Sequence, residues 1–255
     1  MADTIAEEAS FFGMSRGDVS AQLYQTIDWN RIKASGVFLS ESSLLLIQKA
    51  QTNLEVVLDS GEEEKELATS LVQVAGSCTN DIQVQTYVFT RVEEMFDLAS
   101  KMSDKPVNGS NNSVRVSKEE RRRNLAQKFC GVDGLIVDGP FLRALSYPGS
   151  LYLQKTAAAA LANIYVALES ATDIADKGNM FKAGMSNILD SLRTWTTSKL
   201  RDAEKDMSLL PTVLPAFVAL STNMLSRQEL IKFGCVKLAT QLLMKMGVRG
   251  NPQHV

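Results

Sequence analysis

Histidine is nearly missing from this 255-residue chain: the single one, His254, stands beside the last residue, so the most versatile proton-transfer side chain is absent from the body of the sequence. A Ser/His or Cys/His mechanism is not expected. Cysteine is scarce too: Cys78, Cys130 and Cys235 lie far apart with no CxxC pair, which indicates neither a disulfide framework nor a zinc site. They read as buried free thiols. The 15 glycines form no GxxxxGK[ST] phosphate loop and no GxGxxG turn after a strand, so no nucleotide cradle is recognisable. No apolar run reaches the roughly 18 residues that a bilayer crossing needs. The opening Met1-Ala2-Asp3-Thr4-Ile5-Ala6-Glu7-Glu8 is acidic and has neither part of a secretory signal, so a cytoplasmic protein is expected.

Strand patterning is absent as well. No segment keeps a period-two alternation between hairpin turns, and apolar positions recur instead at three- and four-residue spacing, which predicts an all-α chain. Helices are expected near 4–12, 18–26, 41–55, 62–77, 82–101, 117–129, 139–146, 150–169, 178–199, 211–223 and 227–246. Three capping boxes mark starts independently of hydrophobicity: Ser60-Gly61-Glu62-Glu63, Ser117-Lys118-Glu119-Glu120 and Ser226-Arg227-Gln228-Glu229. Short joints between helices suggest antiparallel hairpins. Their succession without an identical unit predicts one elongated HEAT/armadillo-like right-handed solenoid over residues 1–255, with an irregular bundle as the alternative. A polar, Pro- and Gly-containing stretch interrupts it as a flexible loop near 103–116. The Ala-rich run 155–165 should form an inner helix, because small side chains permit close approach.

Charge is divided unevenly. Residues 1–116 carry 17 acidic and 9 basic side chains, and residues 117–255 carry 12 and 18. Two solvated faces, or a dipole that orients the protein toward charged partners, would account for this. Glu93 and Glu94, and likewise Glu62-Glu63-Glu64, lack the convergent geometry of a catalytic pair. Arg121-Arg122-Arg123, with Lys118 and Lys128, is the strongest basic run, either a solvated helix face or a surface for phosphates or an acidic partner. Without interleaved aromatics, and with a pI near 5.6, nucleic-acid binding is not expected. Trp29 and Trp195 read as core residues or interface anchors. Phe11, Phe12 and Met14 belong to an amphipathic segment that docks on a partner or packs back on its own domain.

The most particular wording lies in Thr86-Tyr87-Val88-Phe89-Thr90-Arg91-Val92-Glu93-Glu94-Met95-Phe96. Val84, Tyr87, Val88, Met95 and Phe96 share an apolar face, with Glu93 and Glu94 on its flank as a solvated or partner-facing edge. This stretch, with Ile27-Asp28-Trp29-Asn30-Arg31-Ile32 leading through Ser40-Glu41 to Ile47-Gln48-Lys49, resembles the N-terminal helical-repeat domain of the H subunit of the vacuolar-type proton-translocating ATPase (V-ATPase). A weaker likeness runs from Phe141-Leu142 through the Ala-rich helix, and the segment around 225–243 has a helix-turn-helix layout with Gly234. Asp28 replaces the family's usual Asn, and the loop at 103–113 with the basic helix 117–129 looks like an insertion.

The resemblance implies a noncatalytic regulatory component of the pump's V1 sector, with no cofactor and no active residue, that couples ATP hydrolysis to proton transport. Implied partners are other V-ATPase subunits: the E and G subunits of the peripheral stalk and the cytosolic part of the membrane-embedded "a" subunit. The implied location is peripheral, on the cytosolic face of vacuolar or other acidic-organelle membranes. The likeness spans about the N-terminal half of the family's usual length, and its C-terminal domain has no counterpart here. The possible interface residues are Glu93, Glu94, Arg121, Arg122 and Arg123. Two further readings stand beside this one: a peptide-binding armadillo/HEAT adaptor or scaffold unrelated to the pump, and an all-α enzyme that uses the same acids or arginines in an unfamiliar site.

Overall fold

The computed structural model describes residues 10–34, 40–102, 117–130, 140–169 and 179–249, and within them every regular element is helical. The loop near 103–116 lies outside the described residues, as does most of the helix expected at 4–12. Five helices make up the first part: α1 (Arg16–Thr26), α2 (Trp29–Ala34), α3 (Glu41–Asp59), α4 (Gly61–Ser77) and α5 (Ile82–Lys101). Side chains of the capping type start all five. Ser15, Asp28, Ser40, Ser60 and Asp81 each accept a backbone N–H from three residues ahead, which satisfies a donor that the helix itself leaves free. α3 runs on past the expected 55 to Asp59, through a non-helical Asn53 at φ −140°, ψ 51°.

The second part consists of α6 (Lys118–Cys130), α7 (Pro140–Leu145), α8 (Leu151–Glu169), α9 (Asn179–Lys205), α10 (Leu210–Thr222), α11 (Met224–Lys232) and α12 (Cys235–Arg249). Ser117 caps α6 as its box foretold, its hydroxyl accepting the Glu120 N–H at 3.1 Å. The third box does not start its helix. Asn223 caps α11 by accepting the N–H groups of Leu225 and Ser226, while Ser226 sits inside the helix, fully buried, and donates to the Leu220 carbonyl at 2.6 Å. Asn223 is as good a cap as serine and stands three residues earlier, so the helix starts there. The single helix expected over 227–246 is broken at Gly234, whose φ of +73° ends α11 in the left-handed conformation that glycine adopts without strain.

The buried apolar side chains form one contiguous cluster reaching from Phe11 to Leu242. α5 lies against α1 and α8, and α8 in turn lies against α10, so these four helices follow one another in space. α4 and α6 close the other side of α5, and α9 joins α8 and α10 to α12. α8 is an inner helix: Ala157, Ala158, Ala160 and Ala162 are fully buried, and the absence of larger side chains there lets α5, α6, α7 and α10 approach its backbone. α5 departs from the one-faced reading. Besides its apolar stripe, Thr86, Thr90, Arg91 and Glu93 are buried, because α1, α3, α4, α6 and α8 surround it.

Candidate functional site: the acidic pair of α5 and the basic run of α6

Glu93 is not on a solvated edge. It is 2% exposed, and the reason is α1, which lays its first turn across that part of α5. Ser15 caps α1, which puts Arg16 in the first helical position, and there its guanidinium Nε donates to Glu93 Oε2 while Nη1 reaches Asp97. Gly17 approaches so closely that a Cβ would stand 3.1 Å from Glu94 Oε1. One turn on, the Ser20 hydroxyl donates to Glu94 Oε2 at 3.0 Å. Glu94 also accepts from Nη1 of the buried Arg91 at 2.7 Å. Both acids, expected to face solvent or a partner, are therefore held inside the fold.

The electrostatics follow from burial. Burial pushes the Glu93 carboxyl up to about 7, and it outweighs the opposing pull of Arg16 and the weaker one of Lys155. Glu94 is raised for the same reason, against Arg91, the Ser20 hydroxyl and Arg16. Burial pulls Arg16 down, but Glu93 and Asp97 together more than reverse this. On α8, Tyr152 is pushed up to about 12 by burial and by the charge of Glu93, and burial lowers the Lys155 ammonium. A cleft of about 540 Å³ opens beside this junction, with Arg16, Glu93, Asp97, Lys101, Tyr152 and Lys155 on its walls.

The segment before α1 folds back on its own chain. Phe11 and Phe12 each meet the Tyr152 ring edge-on, at 5.3 and 5.4 Å, and the Lys155 ammonium stands 5.0 Å from the ring centres of both Phe12 and Tyr152. Of the two readings of this segment, packing on its own domain is the one adopted.

The basic run is likewise engaged within the fold. Arg121 Nη2 donates to the Leu58 carbonyl at 3.1 Å and lies 3.3 Å from Asp59 Oδ1, so a cation closes the C-terminal end of α3, where the helix dipole favours it. Arg122 donates to Asn163 Oδ1 of α8 at 2.7 Å, and its guanidinium carbon lies 5.9 Å from the Phe96 ring centre. Lys128 pairs with the buried Glu64. Arg123 alone of the three arginines has neither hydrogen bond nor ion pair among the described residues, and it is half-buried. Consecutive helical positions point about 100° apart, so three adjacent arginines cannot form one face and reach different neighbours.

Of the other residues singled out, Trp29 donates its indole N–H to the Tyr24 carbonyl at 3.1 Å, and Trp195 is buried at 7% exposure. Cys130 and Cys235 are buried free thiols and Cys78 a half-buried one. His254 lies outside the described residues. Among the described residues, no group of three or more His, Cys, Asp or Glu side chains is placed to hold a metal ion, and no helix is long and apolar enough to cross a membrane. Arg16 and Arg91 organise the acidic pair, and sequence reasoning passed over both. Arg91 did carry a signal, being a cation three residues before Glu94 inside an apolar run; Arg16 carries no local sign of a partner 77 positions away.

Comparison with family models, with curated proteins and with solved structures finds no match to this chain.

Proposed function

We propose that this chain is a noncatalytic regulatory and structural component of the vacuolar-type proton pump, of the H-subunit kind, acting in the V1 sector to couple ATP hydrolysis to proton transport. The observation that carries the reading is the meeting of its two most particular stretches. Trp29 sets its ring edge-on to Tyr87 at 5.3 Å, Tyr24 packs against both, and the Gln51 amide donates to the Tyr87 hydroxyl. Segments that resemble one family in wording and order thus form one packed unit. The run of contacts from α1 through α5 and α8 to α10 supports a HEAT/armadillo-like array of antiparallel pairs, a stiff body suited to bracing the E and G stalk subunits against the cytosolic part of the membrane-embedded "a" subunit. Exposed Met224, Leu225, Ile231, Leu243 and Met244 give α11 and α12 apolar surface of the kind protein interfaces use.

Cells that lack the protein are expected to lose acidification of their acidic organelles, read with a ratiometric pH dye. Normal acidification would overturn this reading and favour an adaptor unrelated to the pump.

A further inference from the structure

Glu93 occupies an unusual position: a carboxyl group buried beneath a helix that a single side chain joins to it. Its Oε2 accepts from Arg16, but its Oε1 has no hydrogen-bond partner among the described residues. An ionised carboxylate has about four acceptor sites, so the burial that α1 imposes is only partly compensated. The other charged groups around it do not fill the gap. On α5, Glu94 is bound to Arg91 and Ser20, and Asp97 is half-exposed and shares Arg16; on α8, Tyr152 and Lys155 face the site, the lysine held over two aromatic rings. Lys101 lies on the wall of the adjoining cleft. If α1 lifted away, water would reach the carboxylate through that cleft.

We propose that α1, with the aromatic segment before it, is a strap whose docking on α5 and α8 is set by the charge of Glu93: held while the carboxyl is neutral, loosened when it ionises. The intuitive direction, in which protonation breaks an ion pair and frees the strap, is the wrong one here. Burial outweighs Arg16 in setting where Glu93 titrates, so the docked state binds the proton more tightly than an undocked state with an ordinary carboxyl would. A docked pKa raised to about 7 makes docking strongest in acid, weaker as pH climbs from the ordinary carboxylate range to about 7, and level above that. Opening the strap would uncover Glu93, Tyr152 and Lys155, so the device exposes a charged groove at neutral and higher pH and covers it in acid. The strap is a property of the chain alone, whether or not it serves a pump.

Hydrogen exchange of the full chain, corrected for the intrinsic pH dependence of exchange, tests this. Between pH 5 and pH 7 the opening constant of amides in 19–26 is expected to rise at least roughly tenfold, the direction that linkage to a raised carboxyl requires, while α8 amides stay unchanged. Glu93→Gln should abolish the rise and keep the strap closed at pH 7, and Asp97→Asn should retain it. Far-UV circular dichroism at both pH values checks that each variant is folded. Opening that is flat or falls from pH 5 to pH 7, or a Glu93→Gln chain with the same rise as the parent, would overturn the proposal.

Discussion

Phe89→Ala is expected to remove about 3–5 kcal/mol of stability, the cost of deleting a buried phenylalanine from a core that relaxes only in part. Phe89 is fully buried on α5, and its ring meets Phe141 edge-on with centroids 4.6 Å apart. Phe141 is fully buried as well, and it belongs to the six-residue α7, a helix too short to persist without tertiary support. Deleting the Phe89 ring therefore leaves a cavity and frees the anchor of α7 in one step. In urea the midpoint should drop while the slope stays as it was, since the surface exposed on unfolding hardly changes. A loss under about 1 kcal/mol, the scale of an ordinary surface change, would mean that α5 is not the packing centre of the fold.

Arg91→Met is expected to be comparably severe, about 3–5 kcal/mol, because it strands a partner in a pair withdrawn from water. Arg91 is 3% exposed, and Glu94, its partner at 2.7 Å, has 13% of its side chain exposed. Methionine keeps much of the volume over the Tyr87 ring, which the guanidinium carbon approaches to 5.7 Å from the centre, so the loss isolates charge from packing. Adding Glu94→Gln should restore part of the loss, since the stranded charge is then gone. Strict additivity of the two substitutions in urea denaturation would contradict a coupled pair.

How far the sequence could be read depended on whether the cause was local. The bounds expected for α5, 82–101, coincide with those observed, because Asp81 supplies its cap and the apolar period is sustained throughout. The Ala-rich helix was legible as an inner one for an equally local reason: small side chains admit neighbours on every side. The faces of α5 were not. An edge occupied by two glutamates looks solvated until α1 arrives from 77 positions upstream with Arg16, and no periodicity announces that contact. The basic run misleads in the same way, since Arg121 and Arg122 find their acceptors on α3 and α8 through tertiary placement. Between α11 and α12, the apolar period continued across Gly234 and concealed a break that only the backbone conformation reveals.

The occupied side chains bear on how partners would be met. Glu93, Glu94, Arg121 and Arg122 are engaged within the fold, whereas Met224, Leu225, Ile231, Leu243 and Met244 of α11 and α12 are exposed. Purifying the tagged protein from its native cells under mild conditions, and identifying its companions by mass spectrometry, tests the assignment to the pump most directly. The E and G stalk subunits and the membrane-embedded "a" subunit are expected to be recovered with it. Recovery of the tagged chain, intact and folded, without any component of the pump would contradict the assignment.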